Sequence, residues 1–573
     1  MEAFMTAADA ARSPLFALAS RYIDELAALD PAFATSIGVH TYDRQLPDFS
    51  NEQSERLRAH TSSTLDQLAE LEPADDLDRV AKSVMVERLT SRSQLEQAHE
   101  DRLTWGVLSS PLSQIRQVFE LMQAETAADA DTVRERLTQV RPALASWRSG
   151  IADSAPEGFI PARRHVLGVA AQARTYAAGT FAGFAVRVAQ ATSVDLEGSG
   201  LAPAAADADA ACGELAGWFE DSVAPEASED SRCGLERYER WFRSWNGTEL
   251  DVLELYEWGW QELCRIRYRM WTLAAGLAPD ARTMAEVASV LNADESRAVH
   301  GADAMVERLT AFTQAAIEAL DGEYFDIDPR IRRCDVRLAP EGASAAPYYI
   351  EPSEDLTRPG TTWLPTLGAE RFSWWTYPSI WYHEAVPGHH LQCATAILEA
   401  DRLSRFHRLA GWTSGYGEGW ALYAERLMDE IGAFTDPGDE LGFLAGQAVR
   451  AARIVVDIGL HLGLPAPDDL GVLGELGDCS GWVWTAEMAV ALLEEWAAES
   501  HEFAVSEVER YLSLPGQATS YKVGERVWIE AREAARDRLR DEFGLKRFHA
   551  HALALGPMGL DTFRAEMARW DGS

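Results

Sequence analysis

Apolar residues recur at helical spacing through most of the chain. Ser13-Pro14 has the form of a helix start, with serine as N-cap and proline in the first turn. Leu15, Leu18, Tyr22, Leu26 and Leu29 follow at steps of three and four, which marks one face of a helix. Asp30-Pro31 ends that helix. Gly38 to Ser50 is polar and turn-rich and reads as a loop. Residues 51–192 read as several long helices, broken near Pro111 and around Ala155-Pro156-Glu157-Gly158. From 193 to 232 Ala, Gly, Ser, Asp and Glu dominate. That composition suits a helix followed by an acidic exposed loop, or a mobile connection. Aromatic helices resume at Tyr238 and run through Trp271, and Thr248 with Asp251 three residues on has the pattern of a capping box. Residues 334–378 are the least helical. There Tyr348-Tyr-Ile-Glu-Pro352 and Thr357-Arg-Pro-Gly-Thr-Thr-Trp363 predict one or two short strands. An edge strand there has an obvious use, because it can pair with an extended peptide. No internal repeat is present. The pattern predicts one mainly α domain over residues 1–573, with a helical lobe at 1–192, an acidic connection at 193–232 and a second helical lobe at 233–573.

Composition narrows the function more than the fold. At 573 residues, 47% hydrophobic and 25% charged, the chain can bury an ample core. Its net charge of −39 repels nucleic acid and anionic membrane, so neither is an expected partner. The six cysteines are scattered without a C-x-x-C pair, which predicts free thiols in a reducing compartment. The first residues lack a basic start followed by an apolar run, and no window has the ~20 apolar residues of a membrane span. The expected location is cytoplasmic.

The chemistry concentrates in Trp381-Tyr-His-Glu-Ala-Val-Pro-Gly-His-His-Leu-Gln392. His383, Glu384, His389 and His390 fall within eight residues of a chain that has thirteen histidines. Neutral imidazoles that hold a metal, beside a carboxylate that takes a proton from water, are the requirements of a mononuclear zinc hydrolase. The usual signature is H-E-x-x-H on one helix face. Here Pro387 stands four past His383, and the next histidines come six and seven positions on. In an unbroken helix a spacing of seven returns to the same face about 10 Å further along, too far for two ligands of one ion. A spacing of six points elsewhere. The helix is therefore expected to bulge or bend at Pro387-Gly388. His389 then takes the place of the usual second ligand, with His390 as its alternative.

A third ligand is expected on a following helix. Gly415-Tyr-Gly-Glu-Gly-Trp-Ala-Leu-Tyr-Ala-Glu-Arg426 offers Glu418, 29 residues after His389. Glu425 lies one heptad beyond Glu418 and shares its face, where it can hydrogen-bond a ligating histidine. Tyr416 belongs to the same partly polar face. Arg450, Arg453, Asp457 and His461 stand at helical steps of three, four and four. Such a stripe is ordinarily solvated or an ion-pair ladder, but it can line a cleft, with His461 or an arginine gripping substrate. Pro515-Gly-Gln-Ala-Thr-Ser-Tyr-Lys-Val-Gly524 reads as a glycine-flanked loop that leads into a helix. Tyr521 on it is the candidate donor to the oxyanion of a tetrahedral intermediate.

Four motifs in this order, H-E-A-V-P-G-H-H-L-Q, E-G-W-A-L-Y-A-E, D-I-G-L-H and P-G-Q-A-T-S-Y-K-V-G, resemble the bacterial family known as domain of unknown function 885. Lesser matches at Leu46-Pro-Asp-Phe-Ser50 and Phe548-His-Ala-His551 extend the resemblance over nearly the whole chain. That family is similar to the large helical zinc peptidases of the thimet oligopeptidase, thermostable carboxypeptidase and angiotensin-converting enzyme groups. The resemblance implies a mostly helical, two-lobed molecule with a deep central channel, to which the residues at 334–378 add a few short strands near the metal helix. It also implies zinc on His383, His389 and Glu418, with Glu384 as general base.

The expected function is zinc-dependent hydrolysis of short peptides, with Tyr521 and His461 stabilising the oxyanion. Manganese or cobalt would fit the same ligands. One alternative is a metal-dependent hydrolase of a non-peptide amide or a metabolite. Another, motivated by the unusual histidine spacing, is a scaffold that binds peptides without cleaving them. Substrate identity, endo- or exo-action and oligomeric state are not legible.

Overall fold

A computed structural model of the chain describes residues 12–339, 346–353 and 356–572. Helices dominate, and the strands are few and short, as the periodicity predicts. The chain divides into two compact units, residues 1–74, 89–233 and 512–514 in one, and 75–88, 234–511 and 515–573 in the other.

In the first unit, helix Pro14–Leu29 begins where expected. The Ser13 hydroxyl accepts the Phe16 N–H at 3.2 Å, and Leu15, Leu18, Tyr22 and Leu26 are buried. Pro111 opens the helix Pro111–Glu120, and the helix Val140–Ser154 stops at the predicted break. Trp105, Trp147 and Phe219 meet at ring distances of 5.2–5.5 Å in the core. The stretch 193–232 is not a bare connection. Leu201–Trp218 is a helix that buries Ala204, Ala205, Ala208, Ala211 and Ala216 among four neighbouring helices. Alanine gives up no side-chain entropy on burial and lets those neighbours close in. Asp209, polar by composition, is also buried, and its carboxylate accepts the N–H groups of Phe181 and Ala182 at 2.9 and 3.1 Å. It satisfies orphan donors at the start of the helix Thr180–Thr192.

The second unit carries the strands β1 (Ala298–His300), β2 (Cys334–Leu338), β3 (Tyr348–Ile350), β4 (Gly360–Leu364) and β5 (Arg371–Ser373). β1 pairs with β5, and β4 lies between β2, which is parallel to it, and β3, which is antiparallel. Four of the five fall within 334–378, more than the one or two expected, because two of them are only three residues long. Val336, Leu364 and Phe372 form a core with Met305 and Leu309 of the helix Ala302–Leu320 and with Trp381. That core supports the helix that carries His383.

Six helices position the candidate site: α1 (Val252–Leu277), α2 (Tyr377–Glu384), α3 (His389–Leu398), α4 (Ser414–Glu430), α5 (Pro437–Leu462) and α6 (Ser520–Leu539). Asp251, not Thr248, caps α1, and its carboxylate accepts from Leu253 and Glu254 N–H at 2.9 and 3.1 Å. Thr248 donates instead to Asp561 at 2.7 Å. α5 is buried along nearly its whole length. The most extensive helix contact is between α4 and α6, and it depends on glycine. A Cβ on Gly419 would lie 2.4 Å from the Gly524 Cα, and one on Gly524 would lie 2.0 Å from the Gly415 carbonyl oxygen. No side chain fits there. The contact sets Glu418 of α4 near Tyr521, which stands one turn before Gly524.

Gly524→Ala is therefore expected to lower stability by about 1–3 kcal/mol, the usual cost of overpacking. Gly217→Ala, at a helical glycine whose added Cβ would meet nothing within 4 Å, should be neutral or stabilising by up to about 1 kcal/mol. Urea unfolding of the two variants checks the contrast, and equal midpoints would refute the close-contact account.

Candidate metal centre

α2 ends at Glu384, and α3 restarts at His389. The expected bulge is thus a full interruption over Ala385–Gly388, within which the Val386–Pro387 bond is cis. Pro387 has no N–H with which to continue the helix. A Cβ at Gly388 would lie 1.8 Å from the His383 carbonyl oxygen, so only glycine permits this turn. Trp420, fully buried, donates its indole N–H to the carbonyls of Pro387 and Gly388 at 2.9 and 3.1 Å. The interruption swings His389 back beside His383, with ring centroids 4.8 Å apart and ring planes nearly perpendicular.

Glu418 completes the cluster. Its Oε2 lies 3.3 Å from His383 Nε2 and 3.5 Å from His389 Nε2, and all three ligand atoms lie within 4.8 Å of one another. Ligands bound at about 2 Å in a tetrahedron stand about 3.3 Å apart. Glu418 sits beyond the first turn of α4, so a role in balancing the helix dipole does not account for it. Its Oε2 is buried without a hydrogen-bond partner, an atom left facing two imidazoles. Burial acts to raise its pKa, but the two histidines outweigh burial and hold the carboxyl well below its usual range. Burial likewise acts to lower the pKa of His383, while Glu418 and Glu425 raise it to about 9. The cluster favours positive charge where the three ligand atoms converge. A divalent cation there fits the donor set, with His383, His389 and Glu418 holding it.

Glu425 lies where its spacing predicts. Its carboxylate accepts from His383 Nδ1 at 2.8 Å and from the Ser379 hydroxyl. That bond leaves Nε2 of His383 turned toward Glu418 and fixes the ring. His390 does not join the cluster. Its Nε2 donates to the Ile331 carbonyl at 2.7 Å, and its Nδ1 accepts from the Tyr349 hydroxyl at 2.9 Å. Burial lowers its pKa to about 4 and keeps the ring neutral.

Glu384 is half-buried next to His383, and burial raises its pKa, against the lowering effect of both ligand histidines. Tyr521 is in the first turn of α6, not in the preceding loop. Its ring is nearly parallel to that of His383 at 6.3 Å, and burial pushes its pKa up to about 12, so the phenol stays a donor.

The remaining candidates make hydrogen bonds within the fold, and the charge of Arg450 also acts on Glu384, Glu425 and Tyr521. His461 is buried, and its Nε2 is committed to the Tyr511 carbonyl at 3.0 Å rather than to the cluster. Asp457, fully buried, accepts the Tyr238 hydroxyl at 2.6 Å and the Gly516 N–H at 2.9 Å, and burial pushes its pKa up to about 7. Tyr416 is buried, with its hydroxyl on the Ala552 carbonyl at 3.4 Å. Arg450 is half-buried and donates to the Gly446 carbonyl at 3.1 Å. The sequence places Trp420 on the packed face of the helix that carries Glu418, but its bond to the interrupted turn, and the roles of Ser379 and Tyr349, have no local signal.

Comparison with known proteins agrees with this fold. The family model described as "Bacterial protein of unknown function (DUF885)" matches residues 31–567. No curated protein matches the chain. Two solved structures share the fold. One, described as "the putative lipoprotein from Colwellia psychrerythraea", is 22% identical with a TM-score of 0.81 over 97% of this chain and 98% of that one. The other, described as "a putative lipoprotein of unknown function from Shewanella oneidensis", is 20% identical with a TM-score of 0.74 over 97% and 100%. Among the described residues no helix is long and apolar enough to cross a membrane.

Elemental analysis of the purified chain should find about one zinc, lost in His389→Ala and Glu418→Ala but kept in His390→Gln, which preserves a donor and an acceptor. Glu425→Gln should weaken zinc binding about 10- to 100-fold. Retention of zinc by His389→Ala together with its loss in His390→Gln would reverse the assignment.

Proposed function

We propose that this chain, which belongs to the DUF885 family of bacterial proteins of unknown function, is a zinc-dependent hydrolase of short peptides. The observation that carries the reading is the convergence of His383, His389 and Glu418, with the unpartnered buried Oε2 of Glu418 between the two imidazoles. When bound, the ion would acidify a water and polarise the substrate carbonyl.

The chain's own residues would do the rest. Glu425 holds His383 in the orientation that presents Nε2. Glu384, adjacent in sequence to one ligand, would accept the proton of the attacking water and deliver it to the leaving amine. Burial raises its pKa, which makes it a better proton acceptor than an ordinary carboxylate. Tyr521, protonated at neutral pH, would donate to the oxygen that gains charge. The likeness to the helical zinc peptidases belongs to this reading, and with it a two-lobed molecule whose channel admits short peptides. The six free cysteines support a reducing compartment such as the cytoplasm. Manganese or cobalt would serve the same ligands if zinc were scarce.

Glu384 also bears on the alternatives, since a peptide-binding scaffold needs no base beside a ligand. The variant Glu384→Gln should keep its zinc and lose turnover by about 100- to 10,000-fold, the usual worth of a general base. Mass spectrometry of a short-peptide library, with elemental analysis of both proteins, measures this. Turnover that survives in the variant sinks the mechanism. A zinc-loaded protein that cleaves no peptide but hydrolyses small amides moves the substrate class.

A further inference from the structure

Three of the four members of the charged stripe of α5 are buried, and one of them, Arg453, faces Tyr521. Arg453 is only 7% exposed, and its guanidinium carbon lies 4.4 Å from the centroid of the Tyr521 ring. We propose that Arg453 is the positioning residue of Tyr521, a guanidinium fixed by Glu507 that holds the phenol ring beside His383. The proposal rests on the reading of Tyr521 as the donor to the oxyanion.

The guanidinium is itself held at several points. Glu507 Oε2 accepts from Arg453 Nε at 3.0 Å and from Nη2 at 2.7 Å, and the Tyr511 hydroxyl lies 3.3 Å from the same Nε. Glu507 also accepts from Arg510 at 3.0 and 2.9 Å and from the Tyr511 hydroxyl at 2.7 Å. A planar fork gripped in this way has a defined orientation, which an ammonium on a flexible stem would lack. A cation over an aromatic face is attracted by the ring quadrupole, most strongly where water is excluded. One turn on, Asp457 accepts the Gly516 N–H at 2.9 Å, five residues before Tyr521. The same helix face therefore holds the Pro515–Tyr521 segment at two places. Arg450, one turn earlier, donates to the Gly446 carbonyl of its own helix at 3.1 Å.

The simpler account is an ion-pair cluster with no bearing on Tyr521. The two are separated by Arg453→Met and Arg453→Lys, each made alone and with Tyr521→Phe. Glu507→Gln is a second way to loosen the guanidinium if the arginine variants fail to fold. Fluorine NMR of the full chain labelled with 3-fluorotyrosine, with Tyr521→Phe to assign the signal, reads the ring without any need for turnover. The Tyr521 resonance should be single in the native chain and broaden or split when Arg453 is removed or Glu507 is neutralised. A resonance unchanged in all these variants overturns the proposal. In peptide hydrolysis kcat should fall about tenfold with KM nearly unchanged, and the loss should vanish in the Tyr521→Phe background. Equal loss in both backgrounds means a structural role only, and the proposal fails. If Tyr521→Phe itself leaves turnover intact, the oxyanion role of Tyr521 is what fails, and the fluorine spectrum alone decides on Arg453.

Discussion

The site depends on the close contact between the Gly388 Cα and the His383 carbonyl. Two histidines six residues apart on a continuous helix point away from each other. Interrupting the helix for four residues and restarting it at His389 lets both imidazoles reach one place. An interruption leaves carbonyls without intrahelical partners. Trp420 satisfies that of Pro387 and shares that of Gly388 with the Gln392 N–H, and Trp420 is two residues past Glu418 on α4. The residue that closes the break thus also anchors the helix that supplies the third ligand.

Charge follows the same geometry. Glu384, Glu418 and Glu425 crowd two imidazoles in a setting from which water is largely excluded. Buried charges of one sign are costly unless a partner answers them. Glu425 is answered by His383 and Ser379, whereas Glu418 is left with an oxygen that no hydrogen bond satisfies. Protonation of His383 is one response to that field, and its raised pKa reflects it. A divalent cation in its place would displace the proton, which makes metal binding dependent on pH.

The supporting frame is built from close approaches and buried polar bonds. The Gly419–Gly524 contact lets α4 and α6 meet without side chains between them. On α5, Arg453 and Asp457 reach the segment that ends in Tyr521. These groups look like an ordinary charged helix face in the linear pattern. Their burial reverses that reading, because a buried arginine or aspartate must be bonded to specific partners, and here those partners lie in the Pro515–Tyr521 segment or on its neighbours.

Helical character, the helix start at Ser13-Pro14 and the breaks at Pro111 and Ser154 were legible from periodicity and local capping chemistry, which act over a few residues. So was the meeting of His383 with Glu418 and Glu425, since a heptad spacing puts both carboxylates on one face of the following helix. The sequence alone left His389 and His390 as alternatives. Only the tertiary structure separates them, because it is the distant Ile331 carbonyl and Tyr349 hydroxyl that occupy both nitrogens of His390. The same holds for His461 and Asp457, and for Asp209 of the alanine-rich helix Leu201–Trp218, polar side chains that are buried in the fold. Spacing along a chain determines which side chains share a helix face. What those side chains meet is decided by other helices, and that depends on contacts far apart in sequence.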